Sequence, residues 1–177
     1  MAFITPNTPN LVDFTSFIED SVQIPIAALP VDSPYLGYAF DQALATVITV
    51  PGCGWPPGYP PPSPPSNPLG ILYTLAVYNL ATALLFQITP DQEGQTYFAD
   101  ARSKKPSTNF PNGGFNLNAP ALGLVTAASD EGTSGTLKTP DWAAKMTVGD
   151  LELFQTPWGR AYLNYAQKFG PSIVGLT

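Results

Sequence analysis

Apolar residues recur along this chain at helical rather than strand spacing. Leu11, Phe14, Phe17 and Ile18 stand at i, i+3, i+6 and i+7, with Asp13, Glu19 and Asp20 mostly on the other side; this predicts an amphipathic helix over 10–21 capped by Asn10. Pro25 and Pro30 interrupt the next segment, because proline lacks an N–H and restricts the residue before it, so 24–29 is at most a short turn. Ser33 as N-cap and Pro34 at the first helical position open a second helix over 33–49, whose stripe is Tyr35, Leu36, Ala39, Phe40, Ala43, Leu44, Val47 and Ile48.

From residue 69 to 88 the chain carries no charge, which predicts a third helix over 68–88. At 1.5 Å per residue such a run is long enough to cross about 30 Å of hydrocarbon. Asn79 near its centre, Thr74, Thr82, Gln87 and the lack of any Lys or Arg before Arg102 favour instead a helix covered on most faces by its neighbours. A membrane-associated protein centred on 69–88 is the less favoured alternative. A fourth helix is expected over 92–103, carrying Tyr97 and Phe98 towards Arg102, Lys104 and Lys105, where cations suit the helix dipole.

Turn signals then crowd residues 106–136: Asn112-Gly113-Gly114, Asp130-Glu131-Gly132 and Ser134-Gly135, broken by Ala121-Leu122-Gly123-Leu124-Val125. An excursion of that length with room for one short strand or β-hairpin is unusual in a compact domain, and a partner is expected to order it. Thr139-Pro140-Asp141 starts a helical turn, and Thr147 with Asp150 resembles a capping arrangement before Leu151 and Phe154. Thr156-Pro157-Trp158 opens a last helix containing Ala161, Tyr162, Tyr165 and Ala166, closed by Gly170 and Pro171 ahead of an apolar tail.

The expected fold class is therefore mainly α. It is a single domain over 1–177, a small helical bundle with core segments at about 10–49, 68–104 and 140–170. Projecting loops occupy 51–68, Pro-rich, and 106–136, Gly/Ser-rich, and a C-terminal tail occupies 171–177.

Composition sharpens this picture. Proline fills 21 of 177 positions and charged residues only 11%, against about 25% in ordinary domains. Half of the eighteen residues from 51 to 68 are proline, which favours a stiff extended loop; Trp55 and Tyr59 are its candidate anchors for packing or subunit contact. The net charge of −6 is unevenly placed. Residues 1–101 hold eight acids (Asp13, Glu19, Asp20, Asp32, Asp41, Asp91, Glu93, Asp100) and no Lys or Arg, while residues 102–177 hold seven bases and five acids. No basic stripe exists to neutralise a row of phosphates, so sequence-specific nucleic-acid binding is not expected.

The absence of histidine removes Ser-His-Asp and Cys-His nucleophile systems and every His-ligated metal site. The single Cys53 can form neither an internal disulfide nor a thiolate metal cluster, which fits assembly in a reducing cytoplasm, and no cation lies near it in sequence to activate the thiol. Asp91 with Glu93, and Asp130 with Glu131, are the nearest carboxylate pairs. The first reads better as charge at a helix start and the second as a solvated turn than as an acid-base pair or a cation site. Neither a P-loop nor a dinucleotide fingerprint is present. The N-terminus lacks the basic segment and apolar run of a signal peptide. No catalytic, cofactor-binding or metal site is expected, and aromatic and apolar residues outside the helix stripes suit an assembly component.

Two blocks carry a resemblance. One runs from Phe14-Thr15-Ser16-Phe17-Ile18 through Ile24-Pro25 to Tyr35-Leu36-Gly37-Tyr38-Ala39-Phe40-Asp41-Gln42-Ala43-Leu44, and the other from Asp150-Leu151-Glu152-Leu153-Phe154-Gln155 to Thr156-Pro157-Trp158-Gly159-Arg160-Ala161-Tyr162-Leu163. Covering about half the chain, they resemble small virion proteins of tailed bacteriophages, and within these the head-to-tail adaptors of the connector, or neck. The resemblance implies a non-enzymatic structural protein at the portal vertex, in a homo-oligomeric ring usually of twelve subunits, assembled in the host cytoplasm. Its partners would be the portal protein, neighbouring copies, and a collar, gateway or tail-completion protein. It would bind no membrane and let DNA pass without sequence-specific contact. Trp55, Tyr59, Trp158 and Tyr162, with Ile173, Val174 and Leu176 of the tail, become candidate partner contacts, and Asp91, Glu93 and Asp100 candidate channel-facing acids. The insertions at 51–68 and 106–136 exceed a minimal adaptor bundle and keep a collar, gateway or tail-completion role as the alternative.

Overall fold

The computed structural model describes residues 3–6, 8–49, 68–118, 127–130, 133–136 and 152–169. They are mainly helical: α1 (Leu11–Phe17) runs into a π-helical turn (Ile18–Val22), followed by α2 (Pro34–Thr49), α3 (Pro68–Ile88), α4 (Tyr97–Arg102) and, after a hairpin, α5 (Pro157–Phe169). The hairpin pairs β1 (Ala127–Asp130) with β2 (Thr133–Thr136), antiparallel, with Asp130 opposite Thr133. The Pro-rich segment from 51 to 67, the stretches 121–125 and 139–151, and the tail from Gly170 lie outside the described residues.

Local chemistry explains where the helices start. The Asn10 side chain accepts from Asp13 N at 2.8 Å and donates to the Asp13 carboxylate at 2.6 Å, capping α1 as its spacing predicts. Thr156 Oγ1 accepts from Gly159 N at 2.9 Å at the head of α5. The expectation for Ser33 is corrected: its hydroxyl is buried without a hydrogen-bond partner, so α2 starts on Pro34, whose missing N–H is one that the first turn would leave unpaired. The expected helix over 92–103 is also shorter, beginning only at Tyr97. Residues 93–94 form a turn in which Gly94 has φ +75°, outside the helical region.

Helix α3 is the axis of the core and packs against both α2 and α5. Its apolar residues point all round, as in a helix enclosed by its neighbours: Tyr73, Val77, Tyr78, Ala81, Leu85 and Phe86 are fully buried. The segment Ile71–Ile88 is long and apolar enough to cross a membrane by length and composition, yet 67% of it is buried within the chain's own fold. Two of its polar side chains are met locally, Asn79 Nδ2 donating to Leu75 O at 2.7 Å and Thr82 Oγ1 to Tyr78 O at 2.8 Å, whereas Thr74 Oγ1 is buried without a hydrogen-bond partner.

Two aromatic clusters sit along α3, about 12 Å apart for eight residues of helix. Phe3, Phe14, Phe17 and Phe40 surround Tyr78, with ring centroids at 5.5 to 6.3 Å. Tyr97, Phe98, Phe115 and Trp158 surround Phe86 at 4.8 to 6.3 Å. The first cluster holds α1 and α2 on α3, and the second holds α4 and α5.

The second cluster corrects the expectation that the chain projects from residue 106. Residues 106–118 instead fold back on α4: Phe115 N donates to Ala101 O at 2.6 Å, and Phe110, Phe115 and Leu117 pack on the core. Gly113 makes the return possible, with φ +85° and its α-carbon so close to the Lys104 carbonyl that a side chain would collide with it.

Candidate functional site

The candidate contact residues divide two ways. Trp55, Tyr59, Ile173, Val174 and Leu176 lie outside the described residues, as do Cys53 and Glu131. Trp158 and Tyr162 are half-buried in the chain's own core. The Trp158 indole stacks on Phe86 with centroids 4.8 Å apart and planes 7° from parallel, and Phe115 meets it edge-on at 5.5 Å. One face of Trp158 is therefore committed within the chain, leaving only its exposed remainder for a partner.

Two of the three acidic candidates are tied into the fold. Asp91 reaches forward to α4, where its carboxylate accepts from Phe98 N at 2.6 Å and Ala99 N at 2.9 Å. It thus caps the positive end of a helix that starts six residues later. Asp100 accepts from Asn109 Nδ2 at 2.8 Å and from Thr96 Oγ1 at 3.1 Å, fastening the 103–118 segment. Of the three, Glu93 alone is exposed.

Arg102 does something sequence spacing could not show. It does not serve the end of its own helix but that of α3: Nε donates to Phe86 O at 2.8 Å and Nη2 to Thr89 O. Burial pulls its pKa below the ordinary value, while the nearby Asp91 carboxylate acts in the opposite direction. A half-open cavity of about 220 Å³ adjoins it, lined by Gln87, Arg102, Leu117, Asn118, Glu152 and Gln155. Asn118 and Glu152, which flank 119–151, thus lie together at one cavity. Among the described residues no three His, Cys, Asp or Glu side chains gather where a metal ion could be held.

The surface is distinctive on α2. Residues Pro34, Tyr38, Asp41 and Gln42 are exposed at i, i+4, i+7 and i+8, opposite the buried Leu36, Ala39, Phe40, Ala43 and Val47. Tyr38 is 64% exposed, and Val31, just before the helix, is 58% exposed. Tyr35 meets Tyr38 edge-on at 6.4 Å. The sequence held a signal for this surface, since Tyr38 is the aromatic residue of 33–49 that falls off the apolar stripe. The acids nearest it in sequence, Asp32 and Asp41, are exposed. Comparison with protein-family models, with curated proteins and with solved structures yields no match.

Proposed function

We propose that this chain is a structural virion protein of a tailed phage, a head-to-tail adaptor that forms a ring at the portal vertex and continues the DNA channel. The observation that carries the reading is that the two blocks resembling adaptors, 14–44 and 150–163, are far apart in sequence yet pack on one helix. The first does so through Phe14, Phe17 and Phe40 around Tyr78, and the second through Trp158 on Phe86. They thus belong to one packed core, as the parts of a ring-wall bundle would.

Charge supports the same reading. Residues 1–101 carry eight acids and no base, and an acidic wall does not retain a passing phosphate backbone. Of the channel-facing candidates, Glu93 is the exposed one. A collar, gateway or tail-completion position is the alternative within the same neck assembly.

Native mass spectrometry of the detergent-free protein, alone and mixed with purified portal rings from the same phage, tests the reading. Addition in a fixed multiple near twelve per ring is the expected result. Failure to add to portal rings that stay intact would sink direct portal attachment.

A further inference from the structure

The chain separates its charges along its length, and the fold displays the two signs on different elements. The outward stripe of α2 offers Tyr38 and Asp41, and the turn just before the helix offers Asp32, in a part of the chain with no Lys or Arg. The segment after α4 offers Lys104, Lys105 and Pro106, all exposed. That segment is held in shape before any partner arrives. Lys105 N donates to Ser103 Oγ at 3.1 Å, Ser107 N to Phe110 O at 3.0 Å and Gly113 N to Phe110 O at 2.9 Å, while Phe110 packs inward on Tyr97 and Phe115. A preformed knob loses little conformational freedom on docking.

We propose that the α2 stripe of one copy receives the Lys104-Lys105-Pro106 knob of a second copy. In this contact Asp32 and Asp41 pair with the two lysines, and the Tyr38 ring covers the proline. The acidic stripe cannot serve as its own partner, because a two-fold contact would set Asp41 and Asp32 against like charges. The complementary charge lies elsewhere on the same molecule, so the contact is head-to-tail, and repetition of such a contact closes into a ring or extends as a filament. This deepens the ring reading by naming the two faces of the subunit contact, and it rests on that reading only for the ring's place in a virion.

The test is a charge swap on the full-length chain, read by sedimentation velocity, with circular dichroism checking that each variant folds. Wild type is expected to self-associate at about 10 mM salt and to dissociate at about 1 M, where the Debye length falls to about 3 Å. Asp32→Lys with Asp41→Lys, and separately Lys104→Glu with Lys105→Glu, should each weaken association by at least about tenfold, as should Tyr38→Ala. An equimolar mixture of the two swapped chains should re-associate to within about threefold of wild type, because each new face then meets its complement. A wild-type chain that stays monomeric at low salt overturns the contact, as do swaps without effect and a mixture that does not recover. Addition of the swapped chains to portal rings with wild-type stoichiometry would also refute the contact while leaving the neck reading intact. Recovery in the mixture, with no binding to portal rings, would uphold the contact and refute direct portal attachment.

Discussion

Phe86 is the residue on which the 150–163 block depends, and replacing it measures that dependence directly. Its ring is fully buried and meets Trp158 at 4.8 Å, Phe115 at 5.4 Å, Phe98 at 5.7 Å and Tyr97 at 6.3 Å. Phe86→Ala removes the hub and leaves a cavity between groups held by α3 on one side and by α4 and α5 on the other. Core Phe→Ala changes cost about 3–5 kcal/mol, a large share of the ~5–15 kcal/mol that stabilises a typical domain. For a chain of this length that corresponds to a drop in Tm of about 6–20 °C. Urea unfolding followed by far-UV circular dichroism gives the number. A double-mutant cycle with Phe86→Leu and Trp158→Leu isolates the stacked pair, whose coupling should be about 0.5–1.5 kcal/mol. A loss below about 1 kcal/mol for Phe86→Ala, or a coupling of zero, would show that α5 is not docked through this ring.

Three further perturbations probe other parts of the same core. Burial pushes the Tyr78 hydroxyl up to about 12, against the lowering effect of its bond to Asn10 and with a smaller raising contribution from Asp13. A raised folded-state pKa means stability that is complete below the unfolded value of 10.0 and is lost as pH climbs through 12, by about 2–3 kcal/mol at 1.36 kcal/mol per unit. Urea midpoints between pH 8 and pH 12 should therefore fall more steeply for wild type than for Tyr78→Phe, and equal slopes would contradict the assignment. At Gly159 a Cβ would run into the Leu153 carbonyl, so Gly159→Ala should destabilise by about 1–3 kcal/mol in the same unfolding assay despite alanine's better helix propensity. Asp91→Ala frees Phe98 N and Ala99 N and should cost about 0.5–2 kcal/mol, with faster amide exchange at those two positions as the site-specific readout.

The helices whose starts and stops are written in proline and in periodicity were legible from sequence. The spacing predicts 33–49 and 68–88, and the structure has Pro34–Thr49 and Pro68–Ile88. The contacts that escaped are those that local pattern does not encode. Asp91 looked like the opening of a helix at 92, because an acid after proline suits a first turn; it caps instead across an intervening turn. Arg102 looked like a cation for its own helix end and serves the end of α3. Phe110 and Phe115 stand among turn residues with no period, so nothing in their spacing announces that they complete a cluster around Phe86. Trp158 stood out only as a candidate partner contact; its stacking partner within the chain, Phe86, lies 72 residues away and only the fold supplies it.

The meeting of Asn118 and Glu152 at one cavity has a consequence for how this gene can change. The two ends are close together, so the connection of 33 residues between them is not required to bridge a long span. Insertions or deletions in that connection therefore need not move either end. Relatives of this protein can therefore differ widely in length at that point while keeping the same helical frame.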